Sequence, residues 1–363
     1  MNASLFVEYI DKYFKQVVGK VTTLINGKAT EDALLHKTML TEEYSTDLNW
    51  ASTDVSTSIV AADVVSLGSS LPLKQRDKLA TATGKIPKLG IKYSKDENFI
   101  TNINSMKAKG VNEATIANTI LNDVPKVIKA IDVRKEIMFQ QALSTGVCVI
   151  SDENMQGTGI RVSFGVKEEN TFKATTAAWG NASATPLTDI RQLFDKAEEN
   201  SDTISVVMLS EAYLNKLRNS EEAKLLVASY RGISVASAAK LPAPTKSVLA
   251  EALADEFGAE FIAVKGSFRQ ENVDGTYTTI KPWEQANVVG LVDKKVGRLV
   301  YSTLAEETNP SAGVTYEKSG SHILVSKYSK TDPLQEFTCG QALVLPVIDG
   351  ANHIYILKAN TTA

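Results

Sequence analysis

The sequence predicts an α+β protein that combines one long helix, an α/β region and a mainly β end. First, residues 123–145 keep the apolar spacing of a helix, with Pro125 in the first turn and Gly146 after the last. Second, helical and apolar strand-like segments alternate through residues 186–264. Third, the rest of the chain is a series of short apolar or alternating segments, which are typical of strands.

Length and composition set the size and the broad class of the protein. The chain has 363 residues, of which 43% are hydrophobic, enough for a large core in two domains or in one domain with long excursions. The formal net charge is −3 and no long basic block occurs, which argues against a dedicated nucleic-acid binder. No apolar run reaches the roughly 18 residues that cross a bilayer, and the acids near the start argue against a signal peptide. We therefore expect a protein that is made and folded in a cytoplasm, without a membrane partner.

The first predicted element is an amphipathic helix at residues 4–18. Its apolar side chains recur at helical spacing, from Phe6 and Ile10 to Val18. Gly19 is expected to end or weaken the helix, because glycine lowers helix stability. The sequence leaves the role of this helix open.

A basic excursion at residues 66–98 has few side chains that could fill a core. Prolines and glycines interrupt it, so we predict an extended, two-stranded segment rather than a helix. Its basic residues outnumber its acids, and they are Lys74, Arg76, Lys78, Lys85, Lys88, Lys92 and Lys95. A solvated surface loop explains this composition, but so long a loop is uncommon in a compact domain and is usually functional or disordered. Composition alone leaves both interpretations open.

The clearest helix comes next, after a shorter one at about residues 112–122. Asp123 is a suitable cap, Pro125 lies in the first turn where its missing N–H costs little, and Gly146 closes the far end. Roughly twenty residues make a rod about 30 Å long. Two strands are predicted after it, a buried one at "GVCVIS" and a half-buried one at "IRVSFGV".

The α/β region begins with a helix that has Thr185 as its N-cap and Pro186 at its first position. Asp189 is expected to meet the positive end of the helix dipole. The predicted buried stripe consists of Leu187, Ile190, Leu193, Phe194 and Ala197. The strand "TISVVML" follows, and Ser210 caps the helix after it. The segment "VLAEALADEFGAEFIAV" repeats the helix–strand order, with Gly258 ending the helix.

The β-rich end starts with a hairpin signal at Asp274–Gly275, within "VDGTYTTI". Five further apolar or alternating segments are predicted to be strands: "ANVVGLVD", "GRLVYS", "HILVSKYS", "CGQALVLPVI" and "HIYIL". No internal repeat is evident, which argues against a solenoid or a propeller.

The sequence predicts no catalytic, cofactor or metal site. His36, His322 and His353 have no partner at a zinc-ligand spacing, and we expect the last two at the surface or at an interface. Cys148 and Cys339 lie in apolar strand-like contexts and are expected to be inert core residues. The glycines of "GTGIRVSFG" open a strand rather than a helix, so they do not form a phosphate cradle. An enzyme with an unrecognised carboxylate site stays open as an alternative.

Four segments, taken in order, resemble the major capsid protein of tailed phages, in its lambda-like branch. They are "LPLKQRDKLATATGKIPKLGIKY", "VRKEIMFQQALSTGVCVI", "AAWGNASATPLTDIRQLFDKA", and "VVMLSEAYLNKL" with the later "EFGAEFIAV…TYTTIKPW". Each motif is weak alone, and their order and spacing carry the resemblance, which covers roughly residues 50–350.

The resemblance implies the tailed-phage major capsid fold, with five segments along the chain. They are an N-terminal arm and helix at 1–50, an extended β-hairpin loop at 51–98, a peripheral domain with a long spine helix at 99–209, an α/β axial domain at 210–329, and C-terminal strands that return to the peripheral domain at 330–363. In this family the extended loop lies across a neighbouring subunit, which would explain why the basic excursion has so few core residues.

The resemblance also implies a structural protein that assembles into pentamers and hexamers of an icosahedral phage head around double-stranded DNA. Its expected partners are copies of itself, a portal, a scaffold and a cement protein, and its expected location is the virion, assembled in the cytoplasm of a host bacterium. The candidate inter-subunit contacts are Lys74, Arg76, Lys78, Lys85, Lys88 and Lys92. The reactive side chains with which some relatives cross-link their subunits have no match in this chain.

Two other functions stay open at this point. One is the shell of an encapsulin-like compartment, which has the same fold but encloses a cargo enzyme. The motif around Trp179 favours a virion over such a compartment. The other is a soluble α/β enzyme, for which neither rings nor large particles are expected.

Overall fold

The structure is a computed structural model with the mixture of helices and strands that the sequence predicts. It describes residues 1–26, 34–54, 80–150, 160–233, 241–271 and 275–362. Three of the candidate contact residues, Lys74, Arg76 and Lys78, lie outside the described residues.

The helices of the described chain range from a single turn to about six turns. They are α1 (Val7–Asn26), α2 (Leu35–Met39), α3 (Glu97–Ala108), α4 (Glu113–Leu121), α5 (Val124–Thr145), α6 (Pro186–Glu199), α7 (Glu211–Asn219), α8 (Glu221–Tyr230), α9 (Lys246–Phe257) and α10 (Ala305–Thr308).

The strands are short through most of the chain and longest near its end. They are β1 (Leu40–Tyr44), β2 (Asn49–Asp54), β3 (Ala80–Lys85), β4 (Lys88–Lys95), β5 (Val147–Ile150), β6 (Ile160–Ser163), β7 (Thr171–Ala174), β8 (Val206–Ser210), β9 (Glu260–Val264), β10 (Phe268–Glu271), β11 (Tyr277–Ile280), β12 (Asn287–Leu291), β13 (Gly297–Ser302), β14 (Thr315–Ser319), β15 (Ile323–Thr331), β16 (Leu334–Ile348) and β17 (Ile354–Thr362).

Two larger sheets and three hairpin-like pairs organise these strands. One sheet has the order β1-β13-β16-β15-β14, with β4 also paired to β16. The other has the order β7-β17-β12-β8-β9 and mixes parallel and antiparallel neighbours. The remaining pairs are β2-β3, β5-β6 and β10-β11.

The chain divides into two compact units, each built from separate stretches. The first unit comprises Met1–Trp50, Gly84–Phe139 and Arg298–Val347, and the second comprises Ala51–Thr83, Gln140–Gly297 and Ile348–Ala363. The five predicted segments are continuous and divide the chain at other positions. Their roles as arm, extended loop, peripheral domain and axial domain stay predictions.

In the first unit, the N-terminal helix buries the apolar face that its periodicity predicts. Phe6, Ile10, Phe14 and Val18 are all buried. The helix continues through Gly19 to Asn26, so the expectation that this glycine ends it is wrong. Packing of the apolar face outweighs the roughly 1 kcal/mol by which glycine disfavours a helix.

The residues before this helix are fixed by the six-stranded sheet. The backbones of Asn2 and Ser329 exchange two hydrogen bonds of 3.0 Å. Glu336 of β16 accepts hydrogen bonds from the Ser4 hydroxyl and, at 3.1 Å, from the Leu5 N–H. Since Glu336 is buried and also lies 3.6 Å from the Lys327 ammonium, these bonds satisfy a charge that would otherwise be costly.

The long helix α5 has the bounds that the sequence predicts. It ends at Gly146, whose φ of 73° is the left-handed conformation that glycine adopts without strain. In the first unit β16 crosses it at Gly340, where a Cβ atom would lie 2.9 Å from Val127 Cβ. Glycine is therefore needed for the sheet to approach the helix this closely. The two strands predicted after α5 form the antiparallel pair β5-β6, with Val147 opposite Ser163.

The second unit contains the predicted α/β region. Strand β8 is buried along its whole length, and α6 covers its sheet with the predicted stripe of Leu187, Ile190 and Leu193. Ser210 accepts the Tyr213 N–H at 3.3 Å, which confirms the predicted N-cap of α7. Gly258 ends α9 with a φ of 66°, as predicted. The hairpin β10-β11 is also present, although Asp274 of its predicted turn lies outside the described residues.

The start of α6 is held differently from the prediction. The Thr185 side chain makes no capping bond, and the Glu222 carboxylate instead accepts the Leu187 N–H at 2.6 Å. Asp189 is completely buried and accepts hydrogen bonds from Trp179 Nε1 at 2.8 Å and from Thr175 N and Oγ1 at 2.8 and 2.6 Å. Its main role is therefore to fix the loop before the helix, which the helix-dipole argument did not foresee.

Candidate functional site

The described part of the basic excursion presents three of the six candidate contact residues, all of them lysines. Lys85 ends β3, and Lys88 and Lys92 lie on β4, all with exposed side chains. Lys88 and Lys92 are four residues apart on one strand, so their side chains leave the same face of β4. The structure thus places these two together along one face and Lys85 just before it.

The base of this excursion is fixed by packing. The Ile86 N–H donates to Leu48 O at 2.9 Å, and the Ile86 side chain is buried. A Cβ atom at Gly84 would lie 2.8 Å from Trp50 Nε1, so only glycine lets the strand pass over this buried tryptophan. The backbone that carries Lys85 and Lys88 is therefore anchored at a defined place in the first unit.

Strand β4 belongs to the six-stranded sheet rather than to a separate loop. It pairs antiparallel with β16 from Lys88 opposite Leu343 to Lys95 opposite Glu336. Its alternation buries Leu89 and exposes Lys88 and Lys92, as a half-buried strand requires. The far end of the predicted extended loop is thus part of the core of the first unit.

The exposed lysines have partners within the chain. Lys88 Nζ lies 2.9 Å from Glu306 Oε1, and this hydrogen bond lowers the pKa of Glu306. Lys92 Nζ lies 5.1 Å from the centre of the Phe337 ring, within the range of a cation–π interaction. Both contacts are at the surface, where such interactions are weak. They therefore orient the two lysine side chains, and the ammonium groups can still bind other partners.

Lys95, the last basic residue of the excursion, does not belong with the exposed lysines. Its ammonium is buried and donates to Thr119 O and Ile120 O at 2.9 Å each and to Asn122 Oδ1 at 2.7 Å, while Asp123 Oδ2 lies 3.3 Å away. Burial lowers its pKa to about 8, although the charge of Asp123 opposes the shift. Lys95 therefore caps the carboxyl end of α4. Lys95 is thus part of the interior of the first unit, and it is not among the candidate inter-subunit contacts.

A second group of polar residues lies inside the first unit, where the sequence predicted none. It includes His322, which is only 5% exposed, so its expected place at the surface is wrong. The loop at Gly320, with a φ of 64°, turns the chain so that the next residues point inward. In the second unit, His353 keeps a side chain that is 36% exposed and binds Asp202 Oδ2 at 2.7 Å through Nδ1.

The first half of this buried group joins residues 34–44 to α5. Glu136 Oε2 accepts hydrogen bonds from the His36 N–H at 3.0 Å and from His36 Nδ1 at 2.8 Å. Asp132 binds Lys37 Nζ at 3.0 Å through Oδ2 and Lys135 Nζ at 2.7 Å through Oδ1. Burial lowers the pKa of His36, although the hydrogen bond with Glu136 opposes the shift.

The second half runs from α5 to the turn between β14 and β15. Lys135 Nζ lies 2.8 Å from His322 Nε2, so the ammonium donates and the neutral imidazole accepts. His322 Nδ1 lies 2.8 Å from Ser321 Oγ, which in turn donates to Glu42 Oε2 at 2.6 Å. Burial lowers the pKa of His322 to about 3, and the charge of Lys135 adds to the effect.

This arrangement joins residues 34–44, α5 and the turn between β14 and β15 through hydrogen bonds and ion pairs. Within the described part of the chain, no group of three His, Cys, Asp or Glu side chains could hold a metal ion. Cys148 and Cys339 are both buried and form no disulfide with each other. No described helix is long and apolar enough to cross a membrane.

The sequence did contain a signal for the buried group. Asp132, Lys135 and Glu136 are charged residues spaced three and four apart on a helix whose neighbouring positions are buried. Charges at such positions are seldom buried without partners, so their presence predicts a polar network within the core. The partners His36 and His322 come from remote parts of the chain and carried no such signal.

Known proteins give both a family and a fold. The family described as phage major capsid protein E matches residues 16–359. No curated protein matches the sequence. Among solved structures, the capsid protein of a prophage of E. coli CFT073 is 15% identical, with 94% of this chain and 98% of that chain covered at a TM-score of 0.55.

Two further solved structures align with this chain over most of their length. A phage-related protein from Bordetella bronchiseptica RB50 is 12% identical, with 94% of this chain and 96% of that one covered and a TM-score of 0.50. A chain of the cyanophage A-1(L) capsid is 10% identical, with 92% and 95% covered and a TM-score of 0.49. At these identities the likeness concerns the fold alone. The family match and the prophage capsid structure confirm the predicted tailed-phage capsid fold.

Proposed function

The chain belongs to the phage major capsid protein E family, and from this membership we propose that it is the repeating subunit of an icosahedral phage head. The observation that carries the proposal is the match of the family to residues 16–359, nearly the whole chain. The fold shared with a prophage capsid protein supports it independently. The subunit acts through its shape and edges, and no chemical step is part of its role.

The assembled form that we propose consists of pentamers and hexamers joined into a closed shell. Contacts between unlike surfaces of identical subunits close into rings when each contact adds a fixed rotation. Lys85, Lys88 and Lys92 are proposed to contact carboxylates of a neighbouring subunit, together with Lys74, Arg76 and Lys78. The fixed base of the excursion at Gly84 and Ile86 supports this, because it gives the lysines a constant starting position on every subunit.

The further partners follow from the proposed shell. Double-stranded DNA is enclosed without sequence-specific binding, which agrees with a net charge of −3 and the absence of a long basic block. A portal, a scaffold and a cement protein are the other proposed partners. The proposed location is the virion, with assembly in the cytoplasm of a host bacterium.

Production of the full chain, followed by sedimentation and electron microscopy, tests the proposal. We expect closed shells with five-fold and six-fold clusters, and native particles that contain DNA. Shells that contain a protein cargo instead of DNA would assign the chain to a compartment. A preparation that forms neither rings nor particles under any assembly condition would contradict both shell functions and favour the enzyme alternative.

A further inference from the structure

The segment at residues 34–44, which contains α2 and β1, is joined to the first unit by the pairing of β1 with β13, by the buried side chains of Met39 and Leu40, and by a set of ionisable groups. We propose that residues 34–44 form an acid-sensitive latch that opens when His36 and His322 take up protons. The latch is a property of the folded single chain and goes beyond the proposed shell function. Its closed state is the one that the structure describes.

Ionic and polar contacts hold the latch in addition to the pairing of β1 with β13. His36 binds Glu136 through both its backbone N–H and its Nδ1, and Lys37 binds Asp132 at 3.0 Å. Further along, Glu42 accepts a hydrogen bond from Ser321 at 2.6 Å. Each of these contacts uses a carboxylate, that of Glu136, Asp132 or Glu42. The imidazoles of His36 and His322 lie in the same network. The strength of the latch therefore depends on which of these groups carry protons.

His36 has one ring nitrogen that is satisfied and one that is not. Its Nδ1 lies 2.8 Å from a carboxylate oxygen, so Nδ1 carries the hydrogen and Nε2 of the neutral ring is a bare acceptor. Nε2 is buried and has no hydrogen-bond partner. A proton added there places an N–H donor and a positive charge at a buried position without a partner, which is costly.

His322 has the opposite difficulty, because its Nε2 is already in use as an acceptor. The Lys135 ammonium donates to it at 2.8 Å. A protonated ring cannot accept this bond, and it would place a second positive charge directly beside the ammonium. Protonation therefore turns one of the buried contacts of the network into a repulsion.

The surrounding charges do not remove this cost. From α5, the histidines face Asp132, Lys135 and Glu136, and from the latch itself they face Lys37 and Glu42. Asp132 is already shared by two ammonium groups and Glu136 already binds His36. Glu42 lies 4.0 Å from His322 Nδ1, but its side chain is 54% exposed, so solvent weakens its attraction.

A cavity of about 250 Å³ adjoins the same groups. Its lining includes His36, Lys37, Asp132, Lys135 and His322. The cavity is large enough for several water molecules and polar enough to hold them. Water, and with it protons, can therefore reach the histidines without prior unfolding of the unit.

The direction of the pH effect follows from the two histidines. In the closed state their pKa lies below 6.5, to about 3 for His322, and in the open state each returns towards 6.5. Between these values the open state binds more protons, so acid favours opening and pH values above 6.5 favour closure. Each histidine raises the opening constant by up to about tenfold for every pH unit below 6.5.

Hydrogen exchange of the unassembled full chain at pH 7.5, 6.5, 5.5 and 4.5 tests the latch. After correction for the intrinsic exchange rate, we expect the opening constant of amides in residues 36–44 to rise about fivefold or more between pH 6.5 and 5.5. The reference amides in Asn287–Leu291 should keep their protection over this range. The buried carboxylate Asp132 has a lowered pKa, so it does not titrate in this range, and the histidine substitutions separate the imidazoles from the other carboxylates of the network.

Substitutions of the histidines supply the second part of the test. Gln in His322→Gln and Asn in His36→Asn keep a hydrogen-bonding atom near that of the ring and do not titrate. The double variant should lose the acid response, and the control His353→Gln, in the second unit, should keep it. The same acid response in the double variant and the wild type would overturn the proposal. If the double variant does not fold, the wild-type series decides, because protection that stays flat from pH 7.5 to 4.5 is equally contradictory.

Discussion

Asp189 illustrates how much of the second unit depends on a single side chain. It is completely buried, and its two oxygens accept hydrogen bonds from the Trp179 ring and from the backbone and hydroxyl of Thr175. The sequence placed it correctly at the start of a helix but could not show these bonds. The partners lie up to fourteen residues away in a loop without periodicity, which is the kind of segment that pattern analysis describes least well.

We predict that Asp189→Ala lowers the free energy of unfolding by about 3–5 kcal/mol, because it leaves several buried donors without acceptors. Urea denaturation at pH 7 measures the change. Asp195→Ala, on the exposed side of the same helix, is the matched control and should cost less than about 1 kcal/mol. Equal losses in the two variants would contradict the role assigned to Asp189.

The two cysteines are predicted to contribute through packing alone. Both are buried, and burial raises the pKa of the Cys339 thiol, which makes it less reactive. Cys148→Ala and Cys339→Ala should each cost about 1 kcal/mol and leave particle formation unchanged. Thermal melting and sedimentation, each with and without a reducing agent, measure these effects. Particles that dissolve in the reducing agent would show that the thiols form bonds between subunits.

At the scale of single residues, the predictions from the sequence were wrong mainly for charged or titratable side chains that are buried. Lys95 was grouped with exposed lysines because its sequence neighbours are basic, and His322 was placed at the surface because no partner lies near it in sequence. Their partners, Asp123 and Lys135, come from other elements. Only the tertiary fold brings such groups together, so no local pattern could reveal them.

The elements of the fold were predicted much better than these residues. Helices α4, α5, α6 and α9 lie at the predicted positions, and α5 and α9 end before Gly146 and Gly258 as predicted, because apolar spacing and glycine stops are local properties. The exception is α1, which continues beyond Gly19. There the packing of a whole helix face decides the outcome, and a single residue's propensity is a weaker influence.

Helix α6 provides a prediction at this scale, because adjacent residues on it differ in burial. Leu193 is completely buried, whereas Phe194 is partly buried and lies 5.0 Å from the Phe257 ring, centre to centre. We expect Leu193→Ala to cost about 3 kcal/mol and Phe194→Ala about 1–2 kcal/mol. Urea denaturation of both variants measures the difference. A larger loss for the phenylalanine would mean that the aromatic cluster, and not the helix stripe, holds α6 on its sheet.

At the scale of the whole molecule, the exposed lysines of the basic excursion offer the most direct test of the proposed function. Lys85 and Lys92 are exposed, and neither forms an ion pair with another described residue, so their charges are available to a neighbouring subunit. Lys88 is less suitable for reversal, since a glutamate there would repel Glu306 within the same chain. Surface charges of this kind govern encounter and register between proteins, and their effect weakens with salt.

We predict that the double variant Lys85→Glu with Lys92→Glu blocks or greatly slows particle formation at low salt. The melting of the unassembled chain should change little, apart from about 1 kcal/mol for the lost contact with Phe337. Light scattering and sedimentation at two salt concentrations give the particle yield. The control Lys15→Glu with Lys109→Glu carries the same charge change on exposed positions of the first unit. Normal yield from the test variant at both concentrations would remove the proposed role of these lysines.

The long separation between partner strands has a consequence for how the protein is made. Strand β1 ends at Tyr44, yet its neighbour in the sheet, β13, begins only at Gly297. At the usual rate of about 5–20 residues per second, a ribosome needs on the order of ten to fifty seconds to make the intervening chain. Strand β4 needs β16, which is made later still. A nascent chain therefore cannot complete its first unit until most of it has been translated, so chains on one polysome cannot dock as finished subunits before their release is near.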